Sequence, residues 1–289
     1  MEGRNDRVPV VDRRNGKPLA VDQAFKFLHS NEESTKIEGE DYIPAAQLYI
    51  PSPVDTLFLK KASYFTRSEM MVMEMLSTNK WKRPMYFAAT VGNDYHLGLD
   101  PYLELTGLAY RITDTRSPDG HPRVNTEVMY DNMMNKFRYG NVNKPGIYLD
   151  ENTLRMCRTH RMMFSELAGA LYEEGKHDKA IAVLDYAEEM LPGYNVSYDY
   201  TSASMAALYY TLGEMEKGSA IMDKVAANAI EYLAWAASLP PVQRKSVNQS
   251  TTGHYSAVLG FVLNNLQRFE QKELFNKYFE LYNQYASVR

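Results

Sequence analysis

The stretch RMMFSELAGALYEEGKHDKAIAVLDYAEEMLPGY, residues 161–194, restricts the possible folds more than any other part of the chain. Its apolar residues recur at the steps of an amphipathic helix, pause around Gly175, and resume at the same period until Pro192. Phe164, Leu167, Ala168 and Leu171 share one helix face, and Ala180, Leu184 and Ala187 share another. The spacing predicts two closely packed antiparallel helices, because small residues let the backbones approach and glycine relieves the turn between them. One such pair leaves apolar surface unburied, so further pairs are expected to stack on it.

The window fits the tetratricopeptide pattern. A weaker copy spans 199–232, with Gly213 at the turn, Gly218 in place of the small Ala, and Met222 and Val225 following. Its second helix is expected to run on towards Ser238. Beyond Pro240-Pro241, residues 253–288 read as a divergent third pair without glycine at the turn, as terminal units of an array often are. In such a stack the first helix of each unit lines a concave face. That register selects Met162, Ser165, Gly169 and Tyr172, then Tyr200, Ala203, Ala207 and Tyr210, then His254, Ala257, Phe261 and Asn264. Small residues edged by tyrosines make a shallow groove for a peptide or protein segment, since tyrosine offers a large face and a polar tip. The alternative is a groove filled by the chain itself.

Upstream of residue 151 the pattern is mixed. Thr66 followed by Glu69 marks a capping box for a helix over 66–79, whose Met70, Met71, Met73 and Met75 are assigned to core packing. A short helix is expected within 20–30, strands at 84–90 and 108–113, a helix at 101–108, and another at 126–137. The fold class is therefore mainly α: a small α+β half with few strands, residues 1–150, followed by a tetratricopeptide-like helical array, residues 151–289.

A net charge of −4 argues against a nucleic-acid partner, and no segment has the roughly 20 apolar residues of a membrane span. Residues 229–242, AIEYLAWAASLPPV, come nearest but are too short and contain Glu231. The single cysteine, Cys157, excludes an internal disulfide framework and reads as a small packed residue, although Arg155, Arg158 and Arg161 lie close in sequence. No metal-ligand spacing, phosphate loop or nucleophile motif is present, so no catalytic, metal or cofactor site is assigned. NKWKRPMYFAATVG, residues 79–92, leads from basic residues into a strand that ends at a polar loop. Asp94 and His96 in that loop, with Arg111, form the one alternative pocket that an enzyme reading would use.

EMLSTNKWKRPMYFAATVG, LGLDPYLELTGLAYRIT, MYDNMMNKFRYGNV and YLDENTLRM resemble the soluble C-terminal part of large bacterial membrane proteins similar to protein O-mannosyltransferases. The resemblance extends over about residues 40–235. It implies a parent with an N-terminal multi-span region of the C-type glycosyltransferase kind, which carries the catalytic carboxylate and the lipid-phosphate-sugar site. No family catalytic residue maps onto this chain, which the resemblance implies is a piece of that larger protein on the periplasmic side of the inner membrane. Three readings follow: a non-catalytic accessory domain whose repeats bind protein acceptor or partner, a structural spacer, and a free-standing enzyme with its pocket after the 84–90 strand.

Overall fold

The computed structural model describes residues 7–247 and 249–285. The chain divides into two compact units, Met1–Asn125 and Thr126–Arg289. Residues 126–150, grouped by sequence with the α+β half, fall in the helical unit.

The first unit holds β1 (Arg7–Pro9), β2 (Leu19–Ala20), α1 (Val21–Leu28), β3 (Lys36–Ile37), β4 (Glu40–Asp41), β5 (Leu48–Pro51), β6 (Thr56–Phe58), β7 (Tyr64–Thr66), α2 (Arg67–Asn79), β8 (Tyr86–Ala88), β9 (Leu103–Leu105), β10 (Ala109–Ile112) and β11 (Arg123–Val124). These strands are more numerous than expected, and each is too short to show clear alternation in sequence. β1 pairs with β7, β2–β5–β6 form a three-stranded sheet, and β3 pairs with β4. The largest sheet runs β11-β9-β10-β8. One core built on Ile43, Leu48, Leu57, Phe65, Met73 and Leu103 serves α2 and the sheets alike.

The helix expected at 101–108 is a correction. Asp100–Tyr102 form a single 3-10 turn, and Leu103–Leu105 form β9, antiparallel to β10. Leu103 and Leu105 are buried while Glu104 is not, an alternation of period two that a helix does not have. The helix at 126–137 also changes character, because α3 (Thr126–Tyr130) passes into a π-helical turn over Asp131–Lys136.

α2 starts where its capping box predicts. The Thr66 hydroxyl accepts from the Glu69 amide, and the Thr66 amide donates to the Glu69 carboxylate at 2.8 Å. Met70 and Met73 face the core, but Met71 and Met75 are exposed, because only residues three or four apart share a helix face. The other Glu69 oxygen meets the Lys60 ammonium at 2.6 Å. Burial opposes ionisation of Glu69, yet Lys60 and the Thr66 amide outweigh it and hold the carboxyl below its ordinary value of 4.5.

In the second unit α3 is followed by α4 (Glu151–Glu173), α5 (His177–Met190), α6 (Tyr200–Thr211), α7 (Met215–Ser238), α8 (Pro241–Arg244), α9 (Gln249–Arg268) and α10 (Lys272–Tyr285). Short turns make antiparallel pairs of α4 with α5, α6 with α7, and α9 with α10, and the pairs pack on one another through α4–α6 and α7–α9. The three turns share one hydrogen-bond pattern. Lys176 N–H donates to Leu171 C=O, Glu214 N–H to Tyr209 C=O, and Gln271 N–H to Leu266 C=O, each at 2.8–2.9 Å. Gly175 and Gly213 hold the left-handed position of the first two turns at φ +73° and +87°. Glu270 holds it in the third at φ 56°, so the turn lacking glycine keeps the geometry at a cost of about 1 kcal/mol. Matching buried positions precede the turns: Leu167 and Ala168, Met205 and Ala206, Val262 and Leu263. α7 does run on to Ser238, as its sequence predicted.

Gly218 sets the α6–α7 crossing. A Cβ there would stand 2.7 Å from the Tyr210 ring and 3.0 Å from the Ala206 carbonyl oxygen. Gly218→Ala is expected to lower stability by about 1–2 kcal/mol in urea denaturation, because overpacking exceeds the gain in helix propensity. Glu69→Gln is expected to cost about 1–2 kcal/mol at pH 7 through the weakened cap and ion pair. The Glu69 carboxyl is depressed in the folded state, so its contribution is present above 4.5 and is lost as pH falls through the folded value. Wild type and variant should therefore converge in acid, as read by melts between pH 7 and pH 3.

Candidate functional site

The helical unit contains a cleft of about 820 Å³ lined by the start of α6, one face of α7 and the start of α9. On α7, Val225, Asn228, Ala229 and Tyr232 follow helical spacing, and Trp235 continues the row. Val225, Ala229 and Val258 are buried and form its apolar floor. Tyr232 stacks on Tyr255 of α9 with ring centroids 4.2 Å apart, and lies 5.4 Å from Trp235. Trp235 and Tyr200 keep about half their surface open, 50% and 47%. Tyr200 also contacts Phe261 at 5.1 Å.

The polar rim is built by the segment between α5 and α6. Asp199 caps α6, accepting from the Thr201 and Ser202 amides, while its other oxygen meets Arg158 Nε at 3.1 Å. Asn228 Nδ2 donates to the Tyr198 carbonyl at 3.0 Å. Glu231 and His254 complete the rim. The arrangement suits an extended chain that presents apolar or ring groups to the aromatics and amides to the rim. The Thr201 hydroxyl donates to the capping Asp199 oxygen, Oδ1, at 2.6 Å as part of the α6 cap.

That segment is itself held from beneath by Arg161 of α4, a fully buried side chain. Arg161 Nη2 donates to the carbonyls of Leu191 and Val196, both at 2.7 Å, and Nη1 donates to Ser197 C=O at 3.0 Å. The guanidinium lies 5.2 Å from the Tyr198 ring centroid. Tyr198 in turn donates to Glu188 at 2.7 Å. Burial pushes the Arg161 pKa down, partly offset by Glu188 and Asp199. Burial likewise pushes the Glu188 carboxyl up against the hydrogen bond from Tyr198 and the Arg161 charge. Tyr198 packs so tightly on Gly193 that a Cβ there would fall within 2.0 Å of its ring.

The residues selected for a first-helix groove do not all come together. Tyr200 and His254 line the cleft, and Phe261 supports Tyr200. Met162 and Asn264 are exposed outside the lining. Ser165 donates to the Arg161 carbonyl, and Tyr172 stacks on His177 at 5.0 Å. Ala203 and Tyr210 are buried, with the Tyr210 ring against Gly218 and its hydroxyl bonded to Ser219. The α7 face is absent from the expected groove because the repeat register assigns the concave surface to the first helix of each pair. The sequence signal for it is the three-residue spacing of Tyr232, the last residue of the expected repeat, and Trp235 just beyond it. Among the described residues no helix is long and apolar enough to cross a membrane.

In the first unit, Asp94, His96 and Arg111 do not converge. The His96 ring is 1% exposed, packed between Phe87 and Tyr110, with Nδ1 bonded to Asp100 at 2.9 Å. Arg111 lies on the opposite, open face of the sheet, because it neighbours Tyr110 along β10 and aligns with exposed Tyr86. Asp94 is exposed. Cys157 is buried, and burial raises its thiol pKa despite Arg161 and Arg158. Among the described residues no group of three or more His, Cys, Asp or Glu is placed to hold a metal ion.

Residues 52–129 match the family described as TMEM260-associated domain 2. No curated protein and no solved structure matches the chain.

Arg161→Met is expected to lower stability by about 3–5 kcal/mol, because three main-chain carbonyls, two of them buried, lose their donor at once. Arg158→Met removes a half-exposed ion pair and should cost less than about 1 kcal/mol. Urea denaturation of the two variants checks the contrast.

Proposed function

We propose that this chain is a non-catalytic accessory region of a membrane glycosyltransferase-like protein, placed on the periplasmic side, whose helical unit binds a segment of an acceptor protein or partner subunit. The match of residues 52–129 to a TMEM260-associated domain supports the link to such a parent. The aromatic cleft of Tyr200, Tyr232, Trp235 and Tyr255 carries the binding reading, because rigid aromatic faces half open to solvent over an apolar floor are what peptide-binding surfaces offer. We read the helix pairs as tetratricopeptide-like units on the strength of their three matching turns.

Burial of Ala203 and Tyr210 favours the spacer reading for the α4–α6 part of the expected groove. It leaves the α7 cleft untouched. The enzyme reading lacks a converged set of groups, since His96 and Arg111 occupy opposite faces of one sheet.

The test replaces Trp235 and Tyr255 by Ala in the gene of the source cells and measures glycosylated acceptor proteins by mass spectrometry of glycopeptides. Both side chains lie at the cleft edge, so the protein's level should be unchanged while glycan transfer falls at least tenfold. Unchanged transfer at unchanged protein level would overturn the cleft's role.

A further inference from the structure

The turn after α2 presents an unusual concentration of unpaired positive charge. A small cavity of about 170 Å³ is lined by Leu76, Asn79, Trp81, Lys82, Arg83, Pro84, Met85, Arg111 and Ile112. Lys82, Arg83 and Arg111 are all exposed, and their side chains make no hydrogen bond or ion pair with the described residues. Glu104, the residue across from Arg111 on β9, is engaged by Arg123 at 3.6 Å. Three cations therefore border one cavity while the nearest cross-strand carboxylate is taken.

The backbone that carries them is fixed. Asn79 Nδ2 donates to the Arg83 carbonyl at 2.7 Å, and Asn79 Oδ1 accepts from the Arg83 amide at 3.2 Å. The Trp81 indole N–H donates to the Pro51 carbonyl at 2.9 Å. Lys80 and Trp81 are consecutive non-glycine residues in the left-handed region, at φ 48° and 60°. Such a pair costs on the order of 1–3 kcal/mol per residue, and strain of this kind persists where the surroundings enforce it. Basic residues at a helix C-terminus also answer the helix dipole, which accounts for some charge after α2. It does not account for Arg111, which comes from β10.

We propose that this cavity binds a phosphate group, carried by a small phosphate ester or a lipid headgroup. The volume suits one phosphate rather than a whole nucleotide, since drug-sized ligands occupy about 300 Å³ or more. Arg83 and Arg111 supply forked donors and Lys82 a point charge. Leu76, Met85 and Ile112 supply an apolar floor for whatever the phosphate is attached to.

The chain contains two tryptophans, so the Trp81 indole N–H resonance can be followed by NMR, assigned with Trp235→Phe. Titration with inorganic phosphate to about 10 mM should shift that resonance saturably, with chloride at equal ionic strength giving no shift. Arg111→Ala should weaken the response at least tenfold with an unchanged melting temperature, because its side chain has no partner to lose. Lys17→Ala, an equal charge change elsewhere, should leave it intact. Sedimentation with phosphatidylglycerol-containing vesicles but not pure phosphatidylcholine, lost in Arg111→Ala, would assign the phosphate to a lipid headgroup. A phosphate response without vesicle binding would assign it to a soluble ester. Absence of a saturable shift, or an equal shift in Arg111→Ala, would overturn the site.

Discussion

Arg161 decides the shape of the helical unit. A buried guanidinium is costly unless its donors are met, and here three main-chain carbonyls from one irregular segment meet Nη1 and Nη2, while the buried Nε finds no acceptor among the described residues. The carbonyls gain equally, since a loop pressed against helices has no sheet or helix to satisfy it. The segment so fixed then does the rest. Asn195 donates to the carbonyls of Val142 and Lys144, Tyr198 reaches Glu188, and Asp199 caps α6. One charged side chain thus ties α4 to the entry of α6 and to the loop that precedes α4.

The cleft follows from this. Its rim residues, Ser197 to Thr201, belong to the segment that Arg161 holds or lie directly after it. Its floor comes from α7 and α9, Tyr232 of α7 stacks on Tyr255 of α9, and the extra turns of α7 beyond the expected repeat add Trp235 to the lining. The long second helix and the divergent third pair are therefore two parts of one feature. A regular array with a shorter α7 would have no residue at 235 to offer.

Helical spacing made the second unit legible. The turns at Gly175 and Gly213, the buried faces of α4 to α7 and the run to Ser238 all follow from apolar periodicity and glycine placement. The capping box at Thr66 was equally plain, since both partners lie within one helical turn. The first unit was harder. Leu103–Leu105 is too short to display a period of two, and only its pairing with β10 decides it. Groove membership was illegible at Tyr210 and Ala203, because a tetratricopeptide register gives which helix faces inward but not how close the next helix comes. Gly218 brings α7 within contact of Tyr210 and removes it from solvent. Tyr200 has no such glycine opposite and stays half open. The partners of Arg161 were out of reach for a related reason, as its acceptors are carbonyls, and sequence carries no mark of which carbonyls a fold leaves unbonded.

Arg161 and Arg111 differ in how far their charges are answered. Arg161 is charged and buried, and three carbonyls answer its Nη1 and Nη2. Arg111 is charged and open and makes no ion pair among the described residues, and its cross-strand carboxylate, Glu104, meets Arg123 at 3.6 Å. Tyr209 spends its hydroxyl on Asp185, while Trp235 presents half its surface to solvent and lies 5.4 Å from the Tyr232 ring. Folding alone does not require a chain to fix a strained turn beside three exposed cations or to line up aromatics along the last turns of a long helix. Each arrangement exposes groups that would be more stable paired or buried. The protein segment and the phosphate proposed above would each meet one of these arrangements, and the two sites differ in chemistry enough to be lost one at a time.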